Sequence, residues 1–158
     1  MADDDSLRPP PAPSLDPRWS GELARLETMG EVVDLLTVEP VLYVRFSAGP
    51  QVDAGSQSRD GESGCLLPGL SVNRLAPEPW WTRPPAEWVA RQLCQYEHLG
   101  QDSRFPWVLT GDEVGRGPDS EPLVVRARPI AVVAPAVLDE AREIYHRGLN
   151  AGQLPDQP

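Results

Sequence analysis

Hydrophobic residues recur along the chain at two spacings, one typical of helices and one typical of strands. Met29, Val32 and Leu36 follow a capping box formed by Thr28 and Glu31, which predicts a short helix that ends before Pro40. Spacings of three and four residues predict two further helices, over residues 84–99 and 137–148.

Stretches of β-branched and aromatic residues predict short strands. These stretches are residues 41–47, 69–73, 107–110, 121–126 and 130–133. Alternation along the first strand places Tyr43, Arg45 and Ser47 on one face. A guanidinium beside two hydroxyls is typical of a face that lines a cleft.

No regular strand–helix–strand repeat is present, which disfavours a doubly wound parallel sheet. We therefore predict an α+β fold, in which one compact domain over residues 19–149 holds a mixed or antiparallel sheet of four to six short strands and about three helices. Residues 1–18 are rich in proline and predict a disordered leader, and residues 150–158 predict a flexible tail. Residues 48–64 form a polar loop that is long for a compact domain.

Charge limits the range of partners. Among 158 residues, 24 acids oppose 14 bases for a net charge of −10, which argues against nucleic acid or an anionic membrane as the main partner. The chain contains no lysine, which excludes Schiff-base chemistry. No signal peptide or membrane span is recognisable, so we expect a cytoplasmic protein. The two cysteines and two histidines are not clustered as a zinc site requires, and no metal site is predicted.

Three segments carry candidate chemistry. Asp119 and Glu121 enter a strand one residue apart and project to the same side, where paired acids can orient a ribose or form a solvated edge. Residues 111–118 predict a turn-rich connection whose glycines suit either a phosphate or a hairpin. Trp80 and Trp81 stand in a proline-rich turn, where they form a binding surface or anchor the turn.

Residues 30–146 resemble a family of short, uncharacterised actinobacterial proteins that contain a domain of unknown function. The resemblance rests on LYVRFS (42–47), LPGLSV (67–72), PWW (79–81), RQLCQY (91–96) and GRGPDSEPL (115–123). It implies no activity.

A second, distant resemblance does imply an activity. Arg45 on a first strand, Ser71 on a second and Glu121 entering a later strand are similar in order to the Arg–Ser–Glu type of mono-ADP-ribosyltransferase. The resemblance implies that Arg45 binds NAD, that Ser71 orders the site and binds the nicotinamide ribose, and that Glu121 stabilises the oxocarbenium-like transition state. Tyr43 and Asp119 are further candidates for contacts with the dinucleotide.

The chain departs from that family at several points. Ser71 is followed by Val72 and Asn73 in place of a Ser-Thr-Ser motif, Asp119 stands where the family has Gln or Glu, and a polar loop follows the first strand where the family has a helix. The leading hypothesis is an NAD-consuming transferase or glycohydrolase that places Arg45, Ser71 and Glu121 around one cleft. The alternative is a non-catalytic protein-interaction module that uses the Trp80–Trp81 turn.

Overall fold

A computed structural model describes residues 13–54, 58–95 and 103–148 of the chain. Within them lie four helices and six strands: β1 (Ala24–Leu26), α1 (Met29–Val38), β2 (Tyr43–Ser47), α2 (Pro50–Ala54), β3 (Leu70–Ser71), β4 (Asn73–Arg74), α3 (Pro85–Cys94), β5 (Phe105–Arg116), β6 (Pro122–Val133) and α4 (Pro135–Gly148). The predicted α+β class and mixed sheet are confirmed. The helix that the sequence did not predict is α2, which follows β2 directly inside the expected polar loop.

The sheet is mixed because β1 pairs with β6 in parallel and the other strands pair antiparallel. Its order is β1-β6-β5-β2-β4, and β3 pairs with the other half of the β6 edge. The short segment 70–74 therefore contacts two strands: Ser71 pairs with Leu123 of β6, and Asn73 pairs with Val44 of β2. Since β5 lies between β2 and β6, this segment closes the pairing into a ring of strands.

The strands β5 and β6 form one hairpin of twelve residues on each side. Residues 111–116 belong to β5, so the predicted connection over residues 111–118 is shorter than expected, and the hairpin alternative for this segment is confirmed. The predicted strands 121–126 and 130–133 are the two ends of β6. Bulges caused the difference, because the pairing register shifts three times along the hairpin. Arg126 adopts a φ of 52° at the break between the two predicted strands.

The two faces of the sheet bury different hydrophobic clusters. The helices α1, α3 and α4 cover one face, where Val32, Val89 and Val137 are fully buried against the sheet. The other face surrounds Trp107 and Leu70 inside the ring of strands. Both faces of β2 are therefore covered. Successive residues of β2 pack into different clusters, Tyr43 with Trp107 and Val44 beneath the helices.

Local signals in the sequence fix the helix starts. The Oγ1 of Thr28 accepts a 3.1 Å hydrogen bond from the backbone N–H of Glu31, as expected for the predicted capping box. Glu140 of α4 accepts a second bond from the N–H of Met29, which ties the start of α1 to α4. Pro84 and Pro85 begin α3, and the last residues of the predicted 84–99 helix lie outside the described ranges.

Pairing of the chain begins before the leader boundary predicted at residue 18. The carbonyls of Pro13 and Ser14 accept hydrogen bonds from the N–H groups of Arg126 and Ala127, and Leu15 is buried. The cause is the irregularity in β6, which frees two backbone donors that this segment satisfies. The rest of the predicted leader and the predicted tail lie outside the described residues.

Candidate functional site

A cleft of about 370 Å³ opens between the loop after α2 and the turn that joins β5 to β6. Its charged and hydroxyl-bearing lining consists of Arg59, Asp60, Glu62, Ser71, Asp119 and Glu121. Two of the predicted catalytic residues, Ser71 and Glu121, line this cleft together with the predicted binding residue Asp119.

Glu121 is held at the end of the hairpin turn by hydrogen bonds to both oxygens of its carboxylate. Oε1 accepts from the hydroxyl of Ser71 at 3.0 Å, and Oε2 accepts from the backbone N–H of Asp119 at 2.8 Å. The turn itself is closed by the N–H of Gly117, which donates to the carbonyl of Glu121. The carboxylate therefore has a fixed direction at the wall of the cleft.

Gly117 is needed for this arrangement. A Cβ atom at that position would lie 2.0 Å from Oε1 of Glu121, far inside van der Waals contact. The carboxylate occupies the space that a side chain would fill. The repeated glycines of this turn were visible in the sequence, but the close approach to Glu121 was not.

Two hydrogen bonds of its own backbone fix the position of Ser71. Its N–H donates to the hydroxyl of Ser58 at 3.2 Å, and its carbonyl accepts a 2.7 Å bond from Nη1 of Arg45. Arg45 therefore bonds to Ser71 of the cleft lining but is not itself part of the lining. The three residues Arg45, Ser71 and Glu121 form one connected chain of hydrogen bonds.

A buried polar network fixes Arg45. Its Nε lies 2.7 Å from Oδ2 of Asp53 on α2, and the two side chains are 16% and 5% exposed. Ser47 donates to the same carboxylate at 2.6 Å and accepts from the indole N–H of Trp107 at 2.9 Å. No buried side-chain polar atom in the described part of the chain lacks a hydrogen-bond partner. Asp53 thus neutralises Arg45 and docks α2 against β2.

The opposite wall of the cleft is a tight loop organised by Asp60. Its carboxylate accepts hydrogen bonds from the N–H groups of Glu62 and Ser63 and from the hydroxyl of Ser63. These bonds, that from the Ser63 hydroxyl first, hold the pKa of Asp60 below its usual value. Backbone pairing of Arg59 with Leu66 closes the base of the loop.

Tyr43 lies apart from the cleft. Its ring belongs to the cluster around Trp107, and its hydroxyl donates to Oε1 of Glu113 at 3.1 Å. Burial, followed by the bond to Glu113, raises the pKa of Tyr43 to about 12. The structure therefore brings Ser71, Asp119 and Glu121 together, connects Arg45 to them indirectly, and leaves Tyr43 at a separate position.

A second feature is a cluster of three indoles at the start of α3, which we call the tryptophan cluster: Trp80, Trp81 and Trp88. Their ring centroids lie 5.2–6.1 Å apart in edge-on contacts. Trp81 and Trp88 donate their indole N–H groups to backbone carbonyls, whereas Trp80 is 65% exposed. The guanidinium of Arg91 lies within 6 Å of two of the rings.

Neither a metal-binding group nor a membrane-spanning helix is found in the described ranges. They contain no group of three or more His, Cys, Asp or Glu side chains placed to hold a metal ion. None of their helices has the length and apolar character needed to cross a bilayer.

The fold and site define an α+β domain with an oriented serine–glutamate pair in a small polar cleft. The chain belongs to a family of unknown function, DUF6098, which it matches over residues 20–155. No curated protein and no solved structure matches it.

Proposed function

We propose that the protein is an NAD-consuming enzyme, either an ADP-ribosyltransferase or an NAD glycohydrolase, that works at the cleft of Ser71 and Glu121. The observation that carries the proposal is the hydrogen bond between Ser71 and Glu121 at the wall of this cleft. In the transferase family that these residues resemble, a serine and a glutamate act on the same ribose. The contact between Ser71 and Glu121 supports the same roles for them here.

Glu121 would act on the ribosyl carbon. The bond between C1 of the ribose and the ring nitrogen of nicotinamide breaks, and its electron pair moves to that nitrogen and neutralises the pyridinium. Positive charge develops on the ribose, where a fixed carboxylate stabilises it more in the transition state than in the ground state. Water, or a hydroxyl or amine acceptor, then attacks C1 and transfers its proton to Glu121.

Ser71 would keep the carboxylate of Glu121 in position and bind a ribose hydroxyl with its remaining hydrogen-bonding capacity. Arg45 is a positioning residue in this proposal, because its bonds go to Asp53 and to the carbonyl of Ser71. The helix α2 directly after β2 supports the comparison further, since the transferase family has a helix after its first strand.

Release of nicotinamide from NAD, followed by liquid chromatography, tests the proposal. We expect release by the wild-type protein and a loss of at least about a hundredfold with Glu121→Gln, in the range found when one transition-state contact is removed. Glu143→Gln, which changes an exposed carboxylate on α4, is the matched control. Calorimetric titration of Glu121→Gln with NAD should still show binding. Absence of both binding and release at millimolar NAD would rule the proposal out.

A second candidate function is protein binding through the tryptophan cluster. The observation in its favour is Trp80, which is 65% exposed and packs edge-on against two further indoles. Exposed tryptophans of this kind are common at the centres of protein interfaces. Loss of a co-purifying partner with Trp80→Ala, with unchanged circular dichroism and retained binding by Val38→Ala at another exposed apolar position, would support this function.

A further inference from the structure

Arg59 is the one cation among the described residues that line the cleft. Its Nη1 donates to the carbonyl of Gly64 at 3.1 Å, which is a neutral acceptor. No carboxylate in the described part of the chain forms an ion pair with it. An arginine side chain carries five N–H donors, and the bond to Gly64 uses one of them.

Arg59 shares the cleft lining with four acids, Asp60, Glu62, Asp119 and Glu121, and none of these described residues forms an ion pair with it. Asp60, the adjacent residue, turns its carboxylate into its own loop, where it accepts bonds from Ser63 and from the N–H of Glu62. Across the cleft, Glu121 is bonded to Ser71 and to the N–H of Asp119. Arg59 therefore reaches the cleft from the same segment as Asp60 and Glu62, and the oriented carboxylate of Glu121 reaches it from the hairpin turn.

Arg45 does not provide an equivalent group. It makes four hydrogen bonds, two of them to the carboxylate of Asp53, and it is not part of the cleft lining. Its charge is already compensated by a buried carboxylate, so it offers a diphosphate little attraction. The contact with NAD that the resemblance implies for Arg45 therefore suits Arg59 better.

We propose that Arg59 binds a phosphate group of the substrate, and that the cleft takes an N-ribosyl pyridinium 5′-phosphate, the size of a mononucleotide. This inference rests on the proposed function, because the ribosyl pyridinium part of the ligand is the part of NAD that reacts there. In a ligand with a cationic ring and an anionic phosphate, the phosphate would contact Arg59 and the ring would lie near the carboxylates of the lining. A guanidinium forms charge-assisted, often bidentate hydrogen bonds to phosphate. The volume of about 370 Å³ lies near the lower end of the usual range of about 300–1,000 Å³ and suits half a dinucleotide.

Calorimetry with three probes tests the assignment: nicotinamide mononucleotide, nicotinamide riboside and NAD. Each is titrated into the wild type, Arg59→Gln, Arg59→Lys and the control Arg18→Gln, whose guanidinium is exposed and paired with Asp16. We expect Arg59→Gln to weaken mononucleotide binding about tenfold or more and to leave riboside binding unchanged. Arg59→Lys should retain part of the affinity, and Arg18→Gln should retain all of it.

The outcomes separate this inference from the proposed function. Equal losses of riboside and mononucleotide with Arg59→Gln, or no loss of either, would overturn the assignment to Arg59. Equal affinities of the wild type for the riboside and the mononucleotide would overturn it too. In that case the proposed function stands if nicotinamide is released. Phosphate-dependent binding that requires Arg59 without any nicotinamide release would support the assignment and contradict the proposed function. Failure of all three probes to bind would overturn both.

Discussion

The hydroxyl of Ser71 donates a 3.0 Å hydrogen bond to Oε1 of Glu121, although 50 positions of sequence separate the two residues. The contact follows from strand register, because Ser71 of β3 pairs with Leu123 of β6 and so stands beside the start of that strand. Neighbouring bonds fix both partners: Arg45 holds the carbonyl of Ser71, and the N–H of Asp119 holds Glu121. The pair thus belongs to a preorganised polar network.

Gly117→Ala should displace the carboxylate of Glu121 without removing it. The new Cβ would lie 2.0 Å from Oε1, and the end of a flexible side chain can move away at small cost in stability. We expect nicotinamide release to fall at least about tenfold, since a misplaced catalytic group is costly. Thermal unfolding should change little. Gly115→Ala is the matched control, because its Cβ would meet nothing within 4 Å. Equal activity of the two variants would contradict this role for Gly117.

Arg45→Ala should destabilise the fold strongly. The change leaves the carboxylate of Asp53, 5% exposed, without its cation and the carbonyl of Ser71 without its donor. Removal of one partner from a buried ion pair costs about 3–5 kcal/mol. Urea unfolding followed by tryptophan fluorescence measures the loss. The double variant Arg45→Ala/Asp53→Ala should lose less than the sum of the single changes. Additive losses would show that the two side chains are not coupled.

Gly69→Ala should weaken the pairing of β3 with β6. A Cβ at Gly69 would lie 2.7 Å from the carbonyl oxygen of Val124, a backbone atom that cannot move without shifting the sheet. We expect a loss of about 1–3 kcal/mol in the free energy of unfolding, as for other overpacked sites. Gly61→Ala, which has open space around its Cβ, is the control. Equal stability of both variants would argue against close packing at Gly69.

Tyr43 should make stability depend on pH in the alkaline range. Its pKa rises from 10.0 to about 12, so the folded state favours the protonated phenol. The stabilisation is complete below pH 10, where the phenol is protonated in both states, and is lost as pH rises through the folded pKa. Urea unfolding at pH 9 and pH 11 should show a larger fall for the wild type than for Tyr43→Phe. Parallel falls in the two proteins would contradict the raised pKa.

Local features of the fold were predictable from the sequence. The capping box of Thr28 and Glu31, the apolar stripe of α1 and the alternation in β2 are contained within a few neighbouring residues. The length of β6 was not predictable in the same way. Its bulges divide the hydrophobic pattern into two segments, although backbone pairing with β5 continues through both.

The candidate site, like the fold, was predictable from the sequence only in part. The sequence by itself determined which chemical groups are present: an arginine on one strand, a serine on another, and two acids at the entry to a third. Only the tertiary structure decided how these groups are placed and which of them are bonded to each other. The closure of the sheet through residues 70–74 brings Ser71 to Glu121, whereas the docking of α2 pairs Arg45 with Asp53 and leaves Arg59 as the cation of the cleft. The physical reason is that hydrogen-bond partners across a cleft depend on strand register and burial, which are properties of the folded chain.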